Sequence, residues 1–139
     1  MATTRFRGPV LQGKFNEAGL TGYNLNEKTG AYAVVIGDSG STFTVPKNST
    51  TAGASVTFTL PAVAANDGSV FTFVNTGADG TNQINITGAG GEYIIYKGVT
   101  NQITLTNTLA TSKVGDYVKI AGDKTGTWWA ITDIQGVWA

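Results

Sequence analysis

The stretch SVTFTL, residues 55–60, puts Val56, Phe58 and Leu60 on one side of an extended chain and Ser55, Thr57 and Thr59 on the other. The same period of two recurs. QINIT alternates Ile84 and Ile86 with Gln83, Asn85 and Thr87; QITLT alternates Ile103 and Leu105 with Gln102, Thr104 and Thr106. DYVKIA sets Val118 and Ile120 opposite Tyr117 and Lys119. Alternation of this kind describes a half-buried strand, and no segment shows the 3.6-residue period of an amphipathic helix. Further strands are expected near residues 32–36, 41–45, 69–75, 92–96 and 127–134. Turns are expected at 37–40, 66–68, 77–80, 88–91 and 122–126, where glycines cluster. GAGG, residues 88–91, reads as a hairpin turn, since a phosphate cradle needs a following helix N-terminus. About eight or nine short strands at this spacing predict an all-β fold, an antiparallel β-sandwich or jelly-roll-like barrel.

A chain of 139 residues is one domain, able to bury roughly two thirds of its unfolded surface without disulfides or metals. Residues 32–139 are expected to form it. Residues 1–31 differ, with scattered apolars and frequent glycine, and Pro9 limits RFRGPVL to an edge strand. This segment reads either as an extended N-terminal arm that docks elsewhere or as a long surface loop packed on its own domain.

Several strands are apolar on both faces: YAVVI (32–36), VFTFV (70–74), YIIY (93–96) and WWAI (128–131). A two-sheet sandwich buries one face of each sheet, so something must cover the other. With no helices available, the cover is a loop, the arm or a second subunit; alternatively the domain has more than two layers. Aromatic residues bury about 150–250 Å² each, enough for several of them to sustain an oligomer. All three tryptophans, Trp128, Trp129 and Trp138, fall at the C-terminal end. Trp128, Ala130 and Ile134 are expected on one face of the last strand, Trp129 and Ile131 on the other.

Chemistry is sparse. There is no cysteine and no histidine, which removes thiolate nucleophiles, zinc–thiolate sites and the usual general base. Asp38, Asp67, Asp79 and Asp123 lie in turns, where aspartate caps backbone amides, and no pair is marked as a glycosidase couple. DSGS and DGTN offer oxygen ligands without EF-hand spacing, and two glycosylation sequons, NST and NIT, occur without a secretory signal. No catalytic residue, metal site or cofactor is expected. Nine basic and nine acidic residues cancel, so there is no basic footprint for nucleic acid. No apolar run approaches the length of a membrane span. Exposed tryptophan also stacks on sugars, which keeps a carbohydrate-binding module open as another class, with Trp138 as its reader.

TFTLPAVAANDGSVFTFVNTGADGTNQINITGAGGEYI, followed by QITLTN and GDYVKIAGDKTGTWWAI, resembles a β-domain recurrent in the virion proteins of tailed bacteriophages. Leu60, Pro61, Gly68, Asn75, Gly77, Val118, Asp123 and Trp128 fall on its running pattern, covering about half the chain. The opening TTRFRGPV is similar to the start of small head-associated proteins of marine and cyanobacterial phages, although Arg7 replaces a small residue usual there. The resemblance implies a non-enzymatic virion protein, often trimeric, with Trp128 in the core. A single short domain favours a capsid decoration (cement) protein on the outer head surface, assembled in the host bacterial cytoplasm and partnered by the major capsid protein. The alternative it leaves is a tail or fibre module that recognises host glycans. On the first reading Arg5, Phe6, Arg7, Val10 and Leu11 dock to the shell, and Tyr93, Ile95, Trp129 and Trp138 form the subunit interface.

Overall fold

A computed structural model describes residues 25–46, 55–63, 68–123 and 128–139. These residues form two facing β-sheets with only short 3-10 turns besides. In chain order the strands are β1 (Leu25–Glu27), β2 (Tyr32–Ala33), β3 (Thr42–Val45), β4 (Ser55–Thr59), β5 (Val70–Asn75), β6 (Gln83–Thr87), β7 (Tyr93–Tyr96), β8 (Val99–Gln102), β9 (Thr104–Asn107), β10 (Tyr117–Gly122) and β11 (Trp128–Gln135). One sheet is seven-stranded, ordered β1-β3-β5-β10-β11-β7-β8; the other is four-stranded, ordered β2-β4-β6-β9.

The expected all-β sandwich is present, but its ladders are mixed. β1, β3 and β5 pair in parallel, as do β2, β4 and β6. From β1 to β6 every strand lies in the opposite sheet from the one before it. Parallel neighbours need a long crossover, commonly a helix. Here each crossover is itself a strand of the facing sheet, so the chain coils around the core. Residue alternation reports which face is buried and is blind to the direction of a neighbour, which is why the sequence predicted antiparallel pairing.

The glycine-rich segment 88–91 is likewise not a hairpin. It forms a 3-10 turn, Ala89–Gly91, that carries the chain from β6 across to β7 in the other sheet. The stretch 32–36 yields only the two-residue β2, because Ile36–Asp38 is a 3-10 turn whose Asp38 side chain accepts from the Val35 N–H. Two strands escaped the sequence. β1 falls inside the expected arm, and β8 (VTNQ) has no alternation because it is an exposed edge.

The inward faces build one core. Phe43 stacks on Phe73 with ring centroids 5.4 Å apart, and Phe58 tilts against Phe73 at 4.8 Å. Ile84, Ile86, Leu105, Val118 and Ile120 fill the remainder, all fully buried. At the β1 edge of the core Phe43 meets Tyr32, and towards β7 Phe71 meets Trp129. The C-terminus caps an edge: Thr106 of β9 exchanges two backbone hydrogen bonds with Ala139, of 2.7 and 2.9 Å.

Strand β11 does not alternate throughout. Ile120 pairs with Ile131 but Lys119 pairs with Asp133, which leaves Thr132 as an extra residue. Such a bulge shifts the parity of everything after it. Ile131 and Ile134 therefore both pack on the core, and Ile134 does not share a face with Trp128 and Ala130 as its spacing suggested.

Candidate functional site

The tryptophan pair is oriented opposite to expectation. Trp129 is fully buried, against Phe71. Trp128 is half-buried on the outward face of the seven-stranded sheet. Trp138 is 3 % exposed and packs in the chain's own core, its Nε1–H donating to the Gln135 carbonyl at 2.9 Å. Neither Trp129 nor Trp138 is thus a surface side chain with which a second subunit can make contact. The heavier of two adjacent faces went inward: Trp129 shares its side with Ile131, Trp128 with Ala130. Tyr93 and Ile95 do face outward, Tyr93 at 37 % exposure and Ile95 half-buried. Arg5, Phe6, Arg7, Val10 and Leu11 lie outside the described residues.

Strand pairing brings the outward residues into rows. Trp128 of β11 lies opposite Tyr93 of β7, and on its other side the Asp123 N–H reaches the Trp128 carbonyl at 3.3 Å. The Trp128 Nε1–H donates to the Asp123 carboxylate, which draws the indole toward β10 and away from Tyr93. The next row runs Val70, Ala121, Ala130, Ile95 across β5, β10, β11 and β7. Its two central members are alanines, the smallest side chains of the row, between Val70 and Ile95. One row further, Thr72, Lys119 and Asp133 restore polarity. Across the first two rows outward aromatics, a carboxylate and apolar side chains lie side by side; Tyr117 with Asp133 and Tyr32 with Asp38 make two further aromatic–carboxylate pairs.

A second cluster lies inside, at the other end of the strands. Asn75 donates to Asn107 at 3.1 Å, and Asn107 donates to Asp116 at 2.8 Å and to the Val137 carbonyl at 3.0 Å. Asp116 also accepts from the Lys113 N–H, and Asn75 from the Gly77 N–H. Asn82 donates to the carbonyls of Val45 and Pro46. Asn75, Asn82 and Asn107 are fully buried and Asp116 is 4 % exposed. Buried polar groups at this density are tolerable because they satisfy one another. The cluster clasps the two sheets: Asn75 belongs to one, Asn107 to the other.

Four other carboxylates, those of Glu92, Asp79, Asp133 and Asp38, are engaged within the fold. Both Glu92 oxygens accept from the Val63 N–H at 3.0 Å. Asp79 accepts from the Val114 N–H at 2.9 Å, and that bond, with the charge of nearby Lys113, holds its carboxyl below the ordinary range. Asp133 accepts from the Tyr117 hydroxyl at 2.9 Å, which keeps that phenol protonated to higher pH than usual. Tyr32 is raised too, chiefly by burial and then by its hydrogen bond to Asp38. No group of three or more Asp, Glu, His or Cys side chains suited to a metal ion occurs among the described residues. No protein-family model matches the chain, and no curated protein sequence is detectably similar to it.

Proposed function

We propose that this chain is a non-enzymatic structural protein of a tailed-phage particle, decorating the outer surface of the head and bridging capsid subunits, as a homotrimer. What supports this reading is how the residues that carry the phage-domain resemblance are used. Leu60 and Val118 are core. Asn75 and Gly77 make the clasp turn, and Asp123 holds the Trp128 ring. These positions serve to keep a small sandwich rigid, and the carboxylates with them cap amides, hydroxyls or an indole.

Rigidity suits a protein that works by contact area and valency. Each copy adds modest surface, and linking three copies raises the effective concentration of the second and third contacts. Apolar side chains are available for such contacts at both ends of the sandwich: Leu25, Val35 and Ile36 at one, Val114 and Val137 at the other, all more than half exposed. The segment 1–14, with Arg5, Phe6, Arg7, Val10 and Leu11, is the proposed shell-docking arm.

An electron-microscopy map of the intact particle tests the location; density for this chain anywhere but the outer head surface ends the proposal. Light scattering tests the trimer, and a monomeric mass at micromolar concentration rules it out. Removing residues 1–14, which precede β1, should leave thermal unfolding unchanged and abolish binding to heads that lack the protein.

A further inference from the structure

We propose that residues 15–24 of this chain are a strap that lies over the outward rows Val70–Ala121–Ala130–Ile95 and Trp128–Tyr93 of the seven-stranded sheet.

Polarity along the face says what a strap would cover. The row Leu25, Thr42, Thr72, Lys119, Asp133 crosses β1, β3, β5, β10 and β11 and is polar after Leu25. Two residues back along β5 the next row starts at Val70 and continues through Ala121, Ala130 and Ile95, all half-buried. Trp128 and Tyr93 follow, the first half-buried and the second 37 % exposed. The six residues of these two rows carry no charge. The face thus turns apolar toward one end of the sheet.

Strand direction says which segment lies beside that end. β1, β3 and β5 run parallel, and Leu25, the first residue of β1, is level with Thr72. The chain therefore enters β1 from the end of the sheet at which Val70 and the apolar rows lie. From β1 to β7 is five strand spacings, about 24 Å at about 4.8 Å each. Residues 15–24 span up to about 33 Å when extended, enough to cross with slack for bends. They carry Phe15, Leu20 and Tyr23, with Glu17 as their one charge.

Size argues against a second copy as the cover. An aromatic residue presents about 150–250 Å² in full, so the two rows offer on the order of 200–300 Å² of apolar surface. A stable interface between proteins needs about 800 Å² per partner. A segment tethered at Leu25 needs no such area, because the tether replaces association with a high effective concentration.

The inference is independent of the virion reading, in which residues 1–14 do the docking. The chain has no cysteine, so Asn16→Cys gives a single attachment point for a nitroxide spin label beside Phe15. In NMR spectra of the full chain the label should broaden the amides of Ala130, Ile95 and Tyr93. The amides of Thr57, Asn85 and Thr106, one row of the four-stranded sheet, should stay sharp. Serine at both Phe15 and Leu20 should abolish the broadening and make Trp128 more open to acrylamide quenching, which reports that residue because Trp129 and Trp138 are buried. Serine at Phe6 and Val10 should change neither reading. Sharp amides for Ala130, Ile95 and Tyr93 in the labelled chain overturn the proposal. So does broadening that survives serine at Phe15 and Leu20. Broadening that appears only when the label and the isotopes sit on different copies also overturns it, and marks a second copy as the occupant.

Discussion

Asn107, in the middle of the buried clasp, donates to the Asp116 carboxylate at 2.8 Å and to the Val137 carbonyl at 3.0 Å through one amide nitrogen, while its oxygen accepts from Asn75. One side chain thus joins the four-stranded sheet to the seven-stranded sheet, to the turn before β10 and to the C-terminal segment. Its removal leaves Asp116 a buried carboxylate that has lost a partner. Asn107→Ala is expected to destabilise the fold by about 3 kcal/mol, more than a neutral hydrogen bond is worth, because unsatisfied buried groups bear their full desolvation cost. Urea unfolding of the variant measures it; a loss under about 1 kcal/mol would show that the clasp is ornamental.

Two glycines are held by the same cluster for different reasons. A Cβ on Gly77 would lie 1.9 Å from the Asn82 Nδ2. A Cβ on Gly136 would lie 2.2 Å from the Asp116 Oδ1, and φ there is +96°, a region side chains disfavour. Alanine at either position should lower the melting temperature sharply, by at least about 2 kcal/mol of stability. Gly30→Ala is the control: nothing lies within 4 Å of its Cβ, and it should be neutral in the same melting experiment.

Trp129 carries the one buried side-chain polar atom without a hydrogen-bond partner among the described residues, its Nε1. Trp129→Phe removes that unsatisfied donor and keeps a ring against Phe71. The two effects oppose, and the expected net cost is about 1–2 kcal/mol, well under the roughly 3–5 kcal/mol of Trp129→Ala. Denaturant midpoints of both variants give the comparison. Equal losses would mean that volume is not what Trp129 supplies.

Stability should be level through neutral pH and fall at both extremes. Asp79 sits below its ordinary 3.8 in the folded chain, so its contribution is complete above that value and is lost as pH falls through the lower folded one. Tyr117 and Tyr32 are raised above 10.0, so theirs is complete below that value and is lost as pH rises through the higher folded ones. These groups are largely solvated, so each effect is small. Melting temperatures of the parent, Asp79→Asn and Tyr117→Phe across pH resolve them: the first variant should flatten the acid limb and the second the alkaline limb.

Face assignments were legible in the sequence wherever a strand alternates strictly. Val56, Phe58, Ile84, Ile86, Val118 and Ile120 are buried as their spacing implied. Legibility failed at positions governed by partners. Ile103 should have shared a face with Leu105, but it sits between β8 and β9 and is 45 % exposed. Ile134 was misplaced because Thr132 bulges, and a bulge is a property of two strands together. The Trp128/Trp129 choice turned on which face of β11 met the core, which WWAI leaves open. The Asn75–Asn107–Asp116 clasp was invisible because its members lie far apart in the chain; the sequence showed only the turn at 77–80 beside it.

The alternation of β1 to β6 between the sheets has a kinetic consequence. No two consecutive strands from β1 to β6 form a hairpin, so among the described residues no short fragment of that stretch closes a ladder by itself. β3 finds β5 only after β4 has been laid down across the core, and β4 waits likewise for β6. Entropy is spent on long loops before any pairing repays it. The stretch from β1 to β6 should therefore stay open on the ribosome until β4, β5 and β6 have emerged, whereas β7–β8 and β10–β11 can pair as soon as they are made.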